Sequence, residues 1–276
     1  MSRRMINLQG PNRAFSSDAR FLGADRVRTG IPGLDEMLGG GFMPQSCNLI
    51  EGAPGTGKST LGLQFIYNGA VLYDEPGIVI TFEQFPQLFY RDARSFGWDL
   101  EDLERQDLLR VVMTSPAVGL ADLQAAEGQI EKLIRQMGAR RIMIDSVSRL
   151  EGLVEGASQR RALKYGFLNA LKREGLTALL ISEGPSLLGS GDRAVDDLAF
   201  MADSYLLLRY VEIDSAVHRA LTVLKMRGSE HAKDIRQYEI TDRGIRIQSR
   251  FEGREGILSG TPHRMADSFM RAFLGR

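Results

Sequence analysis

The sequence predicts an α/β domain: a mostly parallel central sheet flanked by helices, with antiparallel strands added on its C-terminal side. Three observations lead there. Short β-branched, apolar runs alternate with helical stretches from Cys47 to Ile181. A glycine-rich loop joins the first of these runs to a helix. After Ser182 the helices give out, and short strands follow one another with brief connections.

The elements follow in order. Residues 1 to about 26 are polar, mixed in charge and without periodicity, and read as a loosely held arm. Val27 to Gly41 places turn residues around a short helical piece, which Gly39-Gly40-Gly41 breaks. Cys47-Asn48-Leu49-Ile50 reads as a buried strand, and Leu61 to Ala70 as a helix with Leu61, Phe65 and Ile66 towards a core. Gly77 to Phe82 is a strand ending at Glu83-Gln84; a helix from Pro86 to Phe96 stops at Gly97. Leu108 to Met113 is a strand, and Leu120 to Met137 a helix closed by Gly138. Arg141 to Asp145 is a strand, Ser158 to Glu174 a helix with Ser158 at its start, and Leu176 to Ile181 a strand again. Beyond a Gly/Ser loop, Glu183 to Asp192, the runs Ser204–Glu212, Arg219–Met226 and Ile235–Ile240 are predicted as antiparallel strands, followed by a turn at Asp242-Arg243-Gly244. The domain is thus expected over 27–250, with a polar tail over 251–276 that ends in a short helix, Met265 to Phe273.

Composition narrows the class. With 276 residues, 43% hydrophobic and 25% charged, the chain suits one large α/β domain or two small ones. Lys plus Arg equals Asp plus Glu at 35 each, so nothing advertises a polyanion-binding surface. The single cysteine, Cys47, excludes an internal disulfide framework. No stretch is apolar enough to span a membrane, and Met1 to Asn7 lacks the apolar segment of a secretory signal, so a cytoplasmic protein is expected.

The loop carries the chemistry. Gly52-Ala53-Pro54-Gly55-Thr56-Gly57-Lys58-Ser59 meets every fixed position of the phosphate-loop pattern, between a strand end and a helix start. Glycines let successive backbone N–H groups turn onto a polyphosphate, and the helix N-terminus adds unpaired donors. Lys58 would neutralise the β- and γ-phosphates, and the Ser59 hydroxyl would hold Mg²⁺ beside them. Asp145, at the end of a buried strand, fits the acid that anchors Mg²⁺ in such sites, or merely caps a loop. Glu83, at the end of the neighbouring strand, points to the edge where ligands lie in open α/β sheets. It could activate a water as general base, or be a solvated strand end. The Gln84 amide is a weaker candidate for the same water. Lys225 and Arg227 fall at alternate positions after an apolar run, on one side of a strand. From spacing alone they read as a solvated basic strand end; the alternative is a charge clamp on a neighbouring subunit's phosphate. His218, His231 and His263 show no metal-ligand spacing.

From about Arg28 to Arg264 the chain resembles the KaiC-like ATPases of the RecA superfamily. The words that carry the likeness are T-G-I-P-G-L-D-E-M-L-G-G-G, G-A-P-G-T-G-K-S-T, T-F-E, A-R-S-F-G-W-D, I-D-S, Y-V-E-I and K-M-R-G-S-E-H. The resemblance implies a RecA-like ATPase domain that assembles into a homo-oligomeric ring, usually a hexamer, with ATP and Mg²⁺ between adjacent subunits. It implies that Glu83 is the catalytic acid, that Asp145 lies on the Mg²⁺ side, and that Lys225 and Arg227 reach the neighbour's ATP. It also places Thr60, Ser95, Ser229, His231, Lys233, Thr241 and Asp242 near the nucleotide. Two positions depart from the clock members of the family. Their Glu pair is Glu83-Gln84 here, and the positions matching the phosphoacceptors of their second domain are Ala199 and Phe200, which carry no hydroxyl.

The function expected is therefore an ATP-hydrolysing ring that acts as a signalling or timing switch on a protein partner the sequence does not name. The alternatives are a nucleic-acid-dependent ATPase, an ATP-holding module and a kinase acting on a partner. The zero net charge and the lack of a basic-aromatic stretch count against nucleic acid.

Overall fold

A computed structural model of the chain describes residues 26–125, 127–184 and 197–251, with the backbone of 254–255 and 263–264. Residues 1–25 of the expected arm, most of the Gly/Ser loop and the expected helix from Met265 to Phe273 lie outside the described residues. The elements begin with a short helix, α1 (Leu34–Met37), and β1 (Cys47–Gly52). There follow α2 (Lys58–Tyr73), β2 (Gly77–Thr81), α3 (Pro86–Arg94), α4 (Leu100–Arg105), β3 (Leu109–Met113), α5 (Pro116–Gln124), α6 (Gln129–Met137), β4 (Arg141–Asp145), α7 (Ala157–Arg173) and β5 (Thr177–Glu183). A 3-10 segment, Val147–Leu153, lies between β4 and α7. The second part runs α8 (Asp197–Met201), β6 (Ser204–Ile213), β7 (Ala216–Met226), β8 (Arg236–Thr241) and β9 (Gly244–Arg250).

One sheet of nine strands takes the order β3-β2-β4-β5-β1-β6-β7-β8-β9. The strands β1 to β5 are parallel to their neighbours, and β7 to β9 are antiparallel. Parallel strands covered on both faces need apolar side chains at consecutive positions, and β2 is buried at every residue with Ile78-Val79-Ile80 at its centre. Alternation then divides them between two cores. Val79, Ile50 and Met143 meet Phe65, Leu61 and Trp98 on one face. Ile78, Ile80, Leu49 and Ile144 meet Ile134, Phe167 and Leu171 on the other.

The described structure corrects two local expectations and adds two short helices. The run Ser204–Glu212 is strand β6, which pairs antiparallel with β7 as expected and parallel with β1 on its other side. The helix expected over 120–137 is two helices, broken where Glu127 takes a left-handed backbone with φ 60°. The Asp122 carboxylate caps the second of them by accepting from the amides of Gln129 and Ile130 at 2.8 and 2.7 Å. Ser158 does not cap α7; Gly156 occupies the N-cap position. The short helices α4 and α8 also had no periodicity long enough to show.

Arg141 is the largest fully buried side chain of the fold. Its guanidinium pairs with Glu75 at 2.6 Å, donates to the carbonyls of Phe65 and Arg28 at 2.8 Å each, and lies over the Phe65 ring. Five donors in a rigid fork can satisfy groups from three segments at once, which is why arginine rather than lysine suits this place. It ties the stretch before α1 to the body of the sheet.

Candidate active site

The C-terminal ends of the parallel strands share one edge. Register sets Gly52 beside Glu183, Ile181 beside Asp145, and Asp145 beside Thr81. The phosphate loop, Glu183, Asp145 and Glu83 therefore stand in a row along that edge. The loop itself is braced from the antiparallel strands. The buried Tyr238 hydroxyl donates to the Thr56 carbonyl at 2.5 Å, and the Thr56 hydroxyl to the Ala53 carbonyl at 2.8 Å. Gly55 has φ 79°, and a Cβ there would come within 2.7 Å of the Tyr210 hydroxyl. Gly57 has φ 92°, and a Cβ there would meet Ile240 at 2.7 Å. Both positions need glycine for backbone and for space.

Lys58 is buried and donates to the Ala53 carbonyl at 3.0 Å, so its ammonium already sits over the loop. Burial pushes its pKa down, while the charges of Asp145, Glu183 and Glu51 pull it back up. Ser59 opens α2 and its hydroxyl donates to an Asp145 oxygen at 2.6 Å. A hydroxyl and a carboxylate held together at a helix start are two oxygen donors of the kind a hard divalent cation takes, so the residues fit Mg²⁺. Thr60 follows within α2 and is half-buried.

Burial pushes the Asp145 carboxyl above the usual range; the Ser59 hydrogen bond and the Lys58 charge oppose this, and Glu83 and Glu183 add to it. An acid with a raised folded pKa binds its proton more tightly folded than unfolded. The nucleotide-free fold therefore loses stability as pH rises from the ordinary carboxylate range through the folded value. Asp145→Asn is expected to raise the melting temperature of the nucleotide-free protein above that range and to flatten this part of its pH dependence. A melting series across pH on both proteins, without nucleotide, checks it.

Glu83 follows β2 at the same edge and is half exposed. Its carboxylate pairs with the Arg149 guanidinium, whose other arm lies 3.7 Å from Glu183. Gln84 is held by its backbone: its amide donates to the Thr81 hydroxyl at 3.1 Å, and its carbonyl accepts from that hydroxyl at 3.2 Å. Sequence reasoning passed over Arg149 and Glu183. The rule that found Glu83, an acid at the end of a parallel strand, applies equally to Glu183. Nothing local marks Arg149, whose partner is 66 residues away in sequence.

Lys225 and Arg227 lie at the opposite edge. Tyr205 pairs with Lys225, and Ser204, level with Asn48, pairs with Met226. The Arg227 amide donates to the Asp203 carbonyl, and the Asp203 amide to the carbonyl of Cys47, the first residue of β1. The phosphate loop starts at the last residue of that strand. Five residue steps of a parallel strand separate the two levels by about 17 Å. The Lys225 ammonium donates to the carbonyls of Ala199, Phe200 and Ala202 at 3.0, 2.9 and 2.6 Å, which uses all three of its protons on the end of α8. Arg227 donates to the Phe200 carbonyl at 2.5 Å and lies 4.0 Å from Asp203, with about half its side chain exposed. It opens onto a cleft of about 660 Å³ between α7 and α8, lined also by Arg161, Lys172, Tyr165 and Phe200.

The remaining expected residues divide between the two edges. Thr241 and Asp242 form the turn from β8 to β9 beside the loop, where Ile240 meets Gly57. Ser95 ends α3 with its hydroxyl donating to the Asp92 carbonyl at 2.6 Å. Three residues on, Trp98 packs between Tyr67 and the Gly244 backbone. Ser229 accepts from Arg26 at 2.6 Å, in the segment after Arg227 that also holds His231 and Lys233. The structure thus brings the loop, Asp145, Glu83, Thr241 and Asp242 to one edge, and leaves Lys225, Arg227 and Ser229 at the other.

Residues 27–252 match the family model described as "ATPase: KaiC". The chain is 38% identical over 245 residues to the circadian clock oscillator protein KaiC of Prochlorococcus marinus, covering 88% of this chain and 48% of that protein. It is 37% identical to the protein of the same name from Synechococcus elongatus, over 87% of this chain and 46% of that one. It is 34% identical to the circadian clock protein KaiC3 of Synechocystis, over 91% and 49%. The chain spans about half the length of these relatives. With a family model covering the sheet from Val27 through β9, a RecA-like fold and a phosphate loop at the parallel edge, the chain belongs to the KaiC ATPase family.

Proposed function

We propose that this KaiC-like ATPase works as a head-to-tail ring of identical copies, six by family resemblance, with Mg²⁺-ATP held between neighbours, and that it serves as a signalling or timing switch. The observation that supports this reading is the separation of Arg227 from the phosphate loop by the whole length of β1. Within one chain that cation cannot reach the phosphates of its own loop. A second copy, set edge to edge, would present the cleft with Arg161, Lys172 and Arg227 to the anionic end of a bound nucleotide.

The roles follow from position. Lys58 and the loop amides bind the β- and γ-phosphates and hold them still. Ser59 and Asp145 would hold Mg²⁺, which when bound neutralises charge on the phosphate oxygens. Glu83 takes a proton from the attacking water as general base. Arg227 of the next copy stabilises the charge that grows on the transferring phosphoryl group. Lys225 acts on that clamp by fixing α8 through three carbonyls, rather than as a free cation. ATP then acts as part of the contact between copies, and its hydrolysis loosens that contact and changes the surface shown to a partner protein.

The test is ATP turnover per subunit across a wide range of protein concentration. Specific activity that rises with concentration, in step with assembly followed by light scattering, is the expected result. Flat activity in a protein that stays monomeric throughout would sink the shared site.

A further inference from the structure

Glu83, read here as the general base, is not free in the chain. Its carboxylate is paired with Arg149, and the same guanidinium reaches towards Glu183 at 3.7 Å. Arg149 stands on the 3-10 segment that begins at Val147, one residue beyond Ser146, so one short stretch joins the acid expected at the metal to the group that grips the base. That segment is fixed independently of the ion pair. The Ser148 hydroxyl lies 3.2 Å from that of Ser182 and accepts from the Glu183 amide at 2.9 Å, while Val147 and Leu150 are buried in the core. Arg149 itself is half exposed.

We infer that Arg149 is a positioning residue that masks Glu83 in the empty site and still partly masks it once the site is filled. The inference rests on the reading of Glu83 as the base. A carboxylate whose lone pairs accept from a guanidinium is poorly placed to accept a proton from water. A γ-phosphate end carries more negative charge than a carboxylate and offers the planar guanidinium three oxygens in place of two. Its arrival on the loop, next to Glu183 and Asp145, competes for Arg149 and loosens its pair with Glu83 without ending it, so the pair still holds back the filled site. The strength of the pair decides what kind of device this is. Both side chains are about half exposed, and exposed ion pairs are weak. The mask is therefore a light one, which slows turnover severalfold and sets a low resting rate without locking the site.

The experiment uses the full chain in four forms: wild type, Glu83→Gln, Arg149→Ala and the double variant, with Arg149→Lys beside them. Steady-state turnover gives kcat and KM, and a fluorescent ATP analogue gives nucleotide affinity. Arg149→Ala is expected to raise kcat about two- to fivefold, the range an exposed ion pair allows, with nucleotide affinity changed by less than twofold. Arg149→Lys, which keeps the charge, is expected to stay near the wild-type rate. In the Glu83→Gln background Arg149→Ala is expected to change nothing, because the group it releases is gone. A kcat that falls or holds steady in Arg149→Ala overturns the mask, as does an equal rise in the Glu83→Gln background. Turnover that Glu83→Gln leaves intact would remove the base assignment itself, and the mask with it. Turnover abolished by Glu83→Gln but unmoved by Arg149→Ala would remove the mask alone.

Discussion

Glu83→Gln is expected to lower ATP turnover by about 10²–10⁴-fold, the usual contribution of a positioned general base, while ATP binding stays within a few-fold of wild type. The substitution keeps the size and planarity of the side chain and removes only its capacity to take a proton. Binding should survive because the phosphates are held elsewhere, by Lys58 over the Ala53 carbonyl and by a loop that Tyr238 braces from behind. Glu83 is half exposed and contributes nothing to either core, so the fold should be unaffected. Single-turnover hydrolysis measured beside equilibrium binding separates the two quantities. Turnover within threefold of wild type would exclude Glu83 as the base and turn attention to Glu183, the other half-exposed acid at the same edge.

Arg227→Ala is expected to lower turnover by about 10³-fold, the lower end of what an arginine supplied to a transferring phosphoryl group contributes. The informative result comes from mixing. Arg227→Ala and Glu83→Gln copies are each almost inactive alone, yet a contact between the intact loop edge of the first and the intact Arg227 of the second is complete. Random assembly of equal amounts places such a pair at roughly one contact in four. Turnover of the mixture should recover to about that fraction of wild type. No recovery, in a mixture shown by size to have exchanged subunits, would mean that both residues serve the same copy's site, which the opposite edges of β1 argue against. Arg227 is the better probe than Lys225. Removing Lys225 strips three carbonyls at the end of α8 of their donor, so its loss would disturb the cleft as well as any phosphate contact.

How much of this was legible in the sequence depends on the range over which each feature is encoded. The phosphate loop was readable in full, because its glycines, Lys58 and Ser59 are contiguous and each is required by backbone geometry or charge at its own position. Asp145 and Glu83 were readable from a rule about strand ends, and that rule needs only the order of apolar runs. The antiparallel pairing of β6 with β7 was readable, but its parallel pairing with β1 was not, because Val, Leu and Tyr serve either kind of neighbour and β1 lies far away in sequence. The break at Glu127 was hidden because Leu120, Leu123, Ile130 and Ile134 continue a helical spacing across it, while the cap that separates the two helices comes from the Asp122 side chain. The grip of Arg149 on Glu83 had no sequence signal, since the two meet only once β2 and β4 pair. The single cysteine is a smaller case of the same kind. Cys47 is buried in the sheet, where its thiol is pushed up to about 12, so it packs as a small apolar residue.

The placement of the loop and of Arg227 at opposite ends of β1 has a genetic consequence for a ring. In the proposed ring each copy would serve two sites, its own and the one next door. A copy damaged at both edges, by Glu83→Gln together with Arg227→Ala, therefore silences two sites rather than one. Inheritance of such a lesion would be dominant in proportion to mixing: with about three copies in ten damaged, only about half the sites in a randomly assembled population keep both intact halves. A cell carrying one good and one doubly damaged gene would keep nearer a quarter of its activity than a half. Damage confined to one edge would be milder, because the other edge of that copy still completes its neighbour.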